Sequence, residues 1–265
     1  MNSKSWNFSP VAYLRSDSCH RFEAPRQAVY SGKGAFVEIL PQYAAAASDL
    51  DGFDRIWLIF CFHLNADRGW KPLVRPPVSP DGGCYGLFAT RSPYRPNPIG
   101  ISCVELLEVR RNVLVIGPCD LLDGTPVLDI KPYIPEADAF PGAAAGWRDA
   151  ANPSCWEVGF TPRFEECAAK LLELGGPDTV NFCLVQLGTN PFDKQRKRLG
   201  FDGGLHSIGC RTWKIRFSAD EAKRKLLARE LVSNYPEDEL LPGAPDPYGD
   251  KELHRRYLAW LGAGR

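Results

Sequence analysis

Several signatures that would settle a function quickly are missing from this chain of 265 residues. No Gly-x-Gly-x-x-Gly follows a strand pattern and no Gly-x-x-x-x-Gly-Lys-Ser/Thr run occurs, so dinucleotide and nucleoside-triphosphate folds lack their fingerprints. His-x-x-x-His and Gly-x-Ser-x-Gly are absent too. With only His20, His63, His206 and His254 available, a metallohydrolase would need an unusual ligand set, and no metal is expected. No apolar run approaches the roughly 20 residues that span a bilayer, and Met1 to Trp6 carries no signal-peptide core, so the expectation is a cytoplasmic protein without membrane contact. Charge of one sign is not in excess: 32 Lys and Arg balance 32 Asp and Glu, and any electrostatic footprint must be local. The nine cysteines form no Cys-x-x-Cys pair, and an odd number scattered along the chain reads as mostly buried thiols rather than a disulfide or zinc framework.

Proline is plentiful, at 23 residues, and it is concentrated where the pattern is most informative. The block from Gly86 to Gly100 places Pro93, Pro96 and Pro98 among Arg91, Tyr94, Arg95 and Asn97. Each proline fixes its own φ and pushes its predecessor into extended geometry, so the polar side chains are held on a stiff, non-helical track. A second block, Asp120 to Tyr133, has a similar layout around Asp123-Gly124-Thr125-Pro126. Rigid polar segments of this kind suggest a binding surface.

Short apolar or alternating segments at Val11 to Ser16, Ala35 to Leu40, Ile56 to Phe62, Tyr85 to Ala89, Ile101 to Glu108, Val113 to Ile116 and Val127 to Ile130 predict a β-rich first part. Only Gln42 to Leu50 reads as helical there, too isolated for repeated βαβ units. Pro141 to Pro153 reads as a linker. Beyond it, Phe164 to Leu174 shows helical periodicity, and Trp156 to Phe160 and Trp213 to Phe217 read as strands. Ala219 to Val232 and Lys251 to Leu261 read as two amphipathic helices of a C-terminal tail. The expected division is residues 1–145, 146–217 and 218–265. One local charge excess stands out: Gln186 to Phe217 carries Lys194, Arg196, Lys197, Arg198, Arg211, Lys214 and Arg216 against Asp193 and Asp202, a net of about +5. From the residues alone, the first part is a β-fold binder of a small polar ligand.

Five stretches in order then carry a resemblance: Ala24-Pro25-Arg26-Gln27; Phe60-Cys61-Phe62-His63; Gly69-Trp70-Lys71-Pro72 with Arg75-Pro76-Pro77; Gly86 to Gly100; and Asp123-Gly124-Thr125-Pro126 through Asp129-Ile130-Lys131-Pro132-Tyr133. Together they resemble the TrmO family, also called TsaA-like or YaeB. The likeness is strong over about residues 10 to 140 and continues weakly to about 217. It implies a mainly β fold: an N-terminal single-sheeted β-barrel (TsaA-like) with a smaller α+β C-terminal domain and helical tail. It also implies an S-adenosylmethionine-dependent methyltransferase acting on N6 of N6-threonylcarbamoyladenosine at position 37, in the tRNA anticodon loop, and working as a homodimer. A methyltransferase acting on a protein or small metabolite, and a non-catalytic tRNA-binding module, are the alternatives.

By that similarity the cofactor contacts fall on Pro25, Arg26 and Gln27, on His63 and Leu64, on Arg91, on Ile101, and on Asp120, Leu121, Leu122 and Asp123. A guanidinium at Arg26 or Arg91 suits the methionine carboxylate, and Asp120 or Asp123 suits an amino or hydroxyl group. Each has a structural rival: arginines bracing turns, Asp123 as a turn former, His63 as a strand-end histidine. Asp123 or Asp129 could accept the N6 proton, but the sequence identifies no catalytic base. Many bacterial members carry Asp-Pro-Arg-Pro-x-Tyr in the second domain, where this chain has Asn190-Pro191-Phe192-Asp193-Lys194-Gln195. The basic run Lys194 to Arg198 is the expected tRNA contact.

Overall fold

Alternation of apolar and polar side chains decides the first half of the chain. In Ala35–Ile39 the residues Ala35, Val37 and Ile39 are buried while Phe36 and Glu38 are exposed, the period-two signature of a strand with one wet face. The computed structural model describes residues 6–20, 34–76, 79, 82–150, 156–188, 191–193 and 198–263. The chain divides into two units, Met1–Asn152 and Pro153–Arg265.

In the first unit the strands are β1 (Ala12–Arg15), β2 (Ala35–Ile39), β3 (Arg55–Cys61), β4 (Leu73–Val74), β5 (Tyr85–Gly86), β6 (Ile99–Arg110), β7 (Val113–Ile116) and β8 (Pro126–Pro132). Six of them close a barrel in the order β1-β2-β7-β6-β3-β8, every pairing antiparallel, with Ala12 opposite Val127 at the closure; β4 and β5 form a separate ribbon. Leu14, Val37, Ile56, Leu58, Val104, Leu114, Ile116 and Val127 fill the interior and are essentially inaccessible to water. Closure also removes the exposed strand edges of an open sheet. The interior is tight at Gly100: a Cβ there would lie 2.3 Å from Cζ of Phe60, so only glycine fits opposite that ring. The alanine run winds as a 3-10 turn over Pro41–Ala47, and a short helix α1 (Pro135–Asp138) follows β8.

The expected linker is not empty. Trp147 stacks on Tyr85, ring centroids 4.6 Å apart, and its indole N–H donates to the Ala89 carbonyl at 2.8 Å. These contacts tie the 3-10 turn Gly146–Arg148 to the barrel unit and move the expected 145/146 boundary to 152/153.

The second unit has β9 (Glu157–Phe160), α2 (Pro162–Glu173), α3 (Thr179–Leu187), β10 (Leu199–Asp202), β11 (Leu205–Cys210), β12 (Trp213–Asp220), β13 (Lys225–Ser233) and α4 (Lys251–Ala263). Its sheet runs β10-β11-β12-β13-β9, with β9 parallel to β13. Thr161 caps α2 by accepting the Phe164 N–H, Asp178 caps α3 by accepting the Asn181 N–H, and Phe164, Leu171, Trp213, Phe217 and Tyr257 form the core.

One expectation fails here. Ala219 to Val232 is not a helix but the end of β12, a turn, and most of β13. Strong helix formers occupy the segment, yet Leu226, Ala228 and Leu231 face the core and β13 gains partners on both edges, β12 and β9. Tertiary pairing overrides a propensity worth only tenths of a kcal/mol per residue. The helical tail therefore reduces to α4, and residues 218–233 belong to the sheet.

Candidate functional site

The proline block folds around its own hydroxyls. Thr90 Oγ1 donates to the Leu87 carbonyl at 2.8 Å and accepts from the Ser92 N–H at 3.3 Å, while the Arg95 guanidinium donates to the Thr90 carbonyl at 3.0 Å. The block is stapled outward as well: Phe62 N–H donates to Pro98 O at 2.7 Å and Leu87 N–H to Pro72 O at 2.9 Å. His63 opens the 3-10 turn His63–Arg68 directly after β3, whose last residue Cys61 pairs with Ile99, so His63 and Leu64 follow on from the Pro98 end of the block.

Asp120 comes to the same region from the β7–β8 connection. Its carboxylate accepts the hydroxyl of Ser102, which is buried inside the barrel on β6. Burial pushes the Asp120 carboxyl above the usual carboxylate range, opposed by the Ser102 hydroxyl and by the positive charge of Arg91. Arg91, itself exposed, thus lies within electrostatic reach of a desolvated carboxyl. A desolvated acid with a guanidinium within electrostatic reach suits a ligand with both a cationic centre and a carboxylate, as S-adenosylmethionine has.

The other expected contacts sort differently. Asp123 accepts the Ser16 N–H at 3.1 Å and its own N–H donates to Ser18 O at 2.8 Å, which ties the connection to the segment after β1. Gly124 follows with φ +71, a left-handed turn position. Leu121 is 3% exposed and packs in the core, which leaves only its backbone for a ligand, and the Leu122 carbonyl accepts both N–H and hydroxyl of Thr125. Ile101 points outward from β6 opposite Ile59 and is 53% exposed. Pro25, Arg26 and Gln27 lie outside the described residues, as do Asn190, Lys194, Gln195, Arg196 and Lys197. Asp129 is engaged by Lys131 at 2.9 Å and by the Ile130 N–H at 2.9 Å.

Sequence reasoning missed Ser102. Its signal was a lone hydroxyl at an inward position of β6, between Gly100 and Val104, where an apolar residue is the rule. Cys119 lies next to the site, but burial pushes its thiol up to about 12, which keeps it protonated and unreactive. Among the described residues no group of three His, Cys, Asp or Glu side chains could hold a metal ion, and no helix is long and apolar enough to cross a membrane.

The tRNA-methyltransferase O N-terminal domain family matches residues 13–139. A tRNA (adenine(37)-N6)-methyltransferase of Escherichia coli (strain K12) is 36% identical over 234 residues, which cover 85% of this chain and 98% of that protein. The chain belongs to the tRNA-methyltransferase O family. A probable S-adenosyl-L-methionine-binding protein of Pyrococcus abyssi is 46% identical over 111 residues, covering 42% of this chain and 58% of that protein. The crystal structure of TrmO from Pseudomonas aeruginosa superposes with a TM-score of 0.63 at 27% identity, covering 87% of this chain and 99% of that one. Family membership accounts for the closed barrel and for the order of the five motifs, and it extends past the barrel into the second unit.

Proposed function

We propose that this chain is an S-adenosylmethionine-dependent methyltransferase that acts on N6 of N6-threonylcarbamoyladenosine at position 37 of tRNA. The observation that carries the reading is the 98% coverage of the E. coli tRNA (adenine(37)-N6)-methyltransferase, which includes the second unit as well as the barrel. The partly desolvated Asp120, held by Ser102 and within electrostatic reach of Arg91, supports the cofactor part of the reading. Arg91, His63, Leu64, the backbone of Ile101 and the turn Asp120 to Asp123, together with Pro25, Arg26 and Gln27, would hold the cofactor.

When bound, S-adenosylmethionine supplies a methyl group already activated on a sulfonium, so the protein's own task is alignment, which is worth up to about 7–11 kcal/mol. Asp120 holds a cationic or hydroxyl group of the ligand and Arg91 an anionic one. Asp123 and Asp129 are both engaged within the barrel unit, which argues against either as the acceptor of the N6 proton.

The reading includes a homodimer in the cytoplasm. Ile59 opposite Ile101 and Cys61 opposite Ile99 form an apolar strip across the outer faces of β3 and β6, the kind of surface a second copy would cover. The second unit contributes contact with tRNA. There Arg198 packs over Gly209, donates to the Arg211 carbonyl at 2.6 Å and lies beside the exposed Lys214. A cluster of this kind suits the phosphates of an anticodon loop.

Nucleoside mass spectrometry of tRNA incubated with protein and S-adenosylmethionine tests the reading. One added methyl on threonylcarbamoyladenosine and none on unmodified adenosine is expected. Methylation of plain adenosine, or of no nucleoside, would overturn the substrate assignment.

A further inference from the structure

The basic cluster of the second unit is not the only local charge excess. From Arg68 to Arg95 the barrel unit carries Arg68, Lys71, Arg75, Arg91 and Arg95 against Asp81 alone, a net of about +4. The same stretch exposes large aromatics: Phe88 is 79% and Trp70 56% accessible. Cations are seated on rings here. The Arg95 guanidinium lies 5.7 Å from the Phe88 ring centre, and the Lys71 ammonium 5.2 Å from that of Tyr94.

These contacts are rigidly built. Arg95 is anchored to the Thr90 carbonyl at 3.0 Å, Lys71 N–H donates to Tyr94 O at 3.2 Å, and the prolines fix the backbone between them. The Trp147 contacts described above brace the 3-10 turn Leu87–Ala89 that presents Phe88. An aromatic ring left in water yet held in place by this many contacts is pre-organised for a flat partner. Ordering it on binding costs little.

We propose that Phe88 with Arg95, seconded by Tyr94 with Lys71, is a stacking platform for unpaired bases of the RNA substrate that flank the target adenosine. Charge complementarity selects a polyanion over an apolar protein surface, and exposed π-faces beside guanidinium groups are what single-stranded bases stack on. The platform is continuous with the cofactor seat, because Arg91 lies between Phe88 and Arg95 on the same stiff segment. The inference rests on the tRNA methyltransferase reading above and adds the residues that would select an unpaired loop over a duplex.

The test is steady-state methylation of threonylcarbamoylated tRNA by Phe88→Ala and Phe88→Tyr, with S-adenosylmethionine affinity measured by calorimetry and dimer mass by light scattering. Loss of one stacked base should raise KM for tRNA about 5- to 100-fold in Phe88→Ala, while kcat and cofactor affinity stay within about twofold. Phe88→Tyr, which keeps the ring, should restore KM. An unchanged KM for Phe88→Ala overturns the platform. A raised KM that comes with weakened cofactor binding or a dissociated dimer overturns it as well, in favour of a cofactor or subunit contact. If the wild-type protein methylates no tRNA, the functional reading fails separately. Titration of an anticodon stem-loop RNA then decides the platform: weaker binding by Phe88→Ala supports it, and equal binding rejects it.

Discussion

Burial of His254 predicts that the second unit loses stability in mild acid. Its ring is fully buried and stacks on Trp213 at 3.8 Å between centroids, with an interplanar angle of 9°. Nδ1 lies 2.8 Å from Ser233 Oγ and Nε2 lies 2.9 Å from Thr212 Oγ1. Thr212 in turn donates to Asp250, which also accepts the Tyr235 hydroxyl at 2.7 Å. Because Asp250 only accepts, the proton order runs Ser233 to His254 to Thr212 to Asp250, and it is complete with a neutral imidazole. Desolvation lowers the His254 pKa from 6.5 to about 4, although the charges of Asp250 and Asp246 pull the other way. Lys251, on the same helix and paired with Glu239 at 3.2 Å, adds positive charge nearby.

A histidine whose pKa is depressed on folding leaves the unfolded chain with more bound protons between about pH 6.5 and 4. Stability is therefore full above the unfolded value and falls as pH drops through that window. With these two pKa values the loss between pH 7 and pH 5 is about 2 kcal/mol, a sizeable part of a typical total of about 5–15 kcal/mol. Urea unfolding followed by tryptophan fluorescence should show the midpoint of the transition carrying Trp213 fall by about 1 M between those pH values. His254→Gln should begin less stable at pH 7 and lose most of that pH slope. A wild-type midpoint that stays flat from pH 7 to 5, or a variant that keeps the full slope, would refute the argument.

Two further outcomes follow from single atoms. Gly100→Ala places a methyl 2.3 Å from the Phe60 ring and should cost about 1–3 kcal/mol in chemical denaturation, with Phe60→Leu recovering part of the loss in the double variant. Asp120→Asn removes a carboxylate whose pKa is raised by burial, so the charged form opposes folding at neutral pH. The ligand-free variant should melt higher than wild type at pH 7 while binding S-adenosylmethionine more weakly in calorimetry; a lower melting temperature with unchanged binding would remove Asp120 from the site.

What the sequence disclosed and what it hid follow from the range of the forces involved. Strands such as β2 and β3 were legible because a half-buried strand writes its burial into every second residue. The helix α2 was legible for the corresponding reason at period 3.6, with Thr161 and Pro162 marking its start. β13 was not, because Lys225 to Ser233 gains its strand state from β12 and β9 rather than from its own residues. α3 escaped notice because Val180, Phe182, Cys183, Leu184, Val185 and Leu187 make it apolar nearly all round, which erases the periodicity. The motif residues named segments, but not which of their side chains the fold itself engages. Asp123 accepts a hydrogen bond from Ser16 and Leu121 is buried, and Ser102 and Trp147 became visible only when β6 and the Gly146–Arg148 turn were folded against their neighbours.

That division of labour explains how a barrel can bind a nucleoside cofactor without a glycine fingerprint. A Rossmann site presents a helix N-terminus to phosphates and needs glycines for the close approach. A sulfonium cofactor of this kind carries no phosphate, so that device has nothing to hold. The demand is instead for one anionic and one cationic group. In the proposed site the barrel would meet it with a carboxyl partly withdrawn from water at Asp120, steadied by Ser102 from the wall, and a guanidinium at Arg91 on a proline-braced connection. Stiffness in the connections replaces the rigidity that a helix would have supplied. Substitutions that loosen Pro93, Pro96 or Pro98 should then weaken the site even though none of the three rings need touch a ligand.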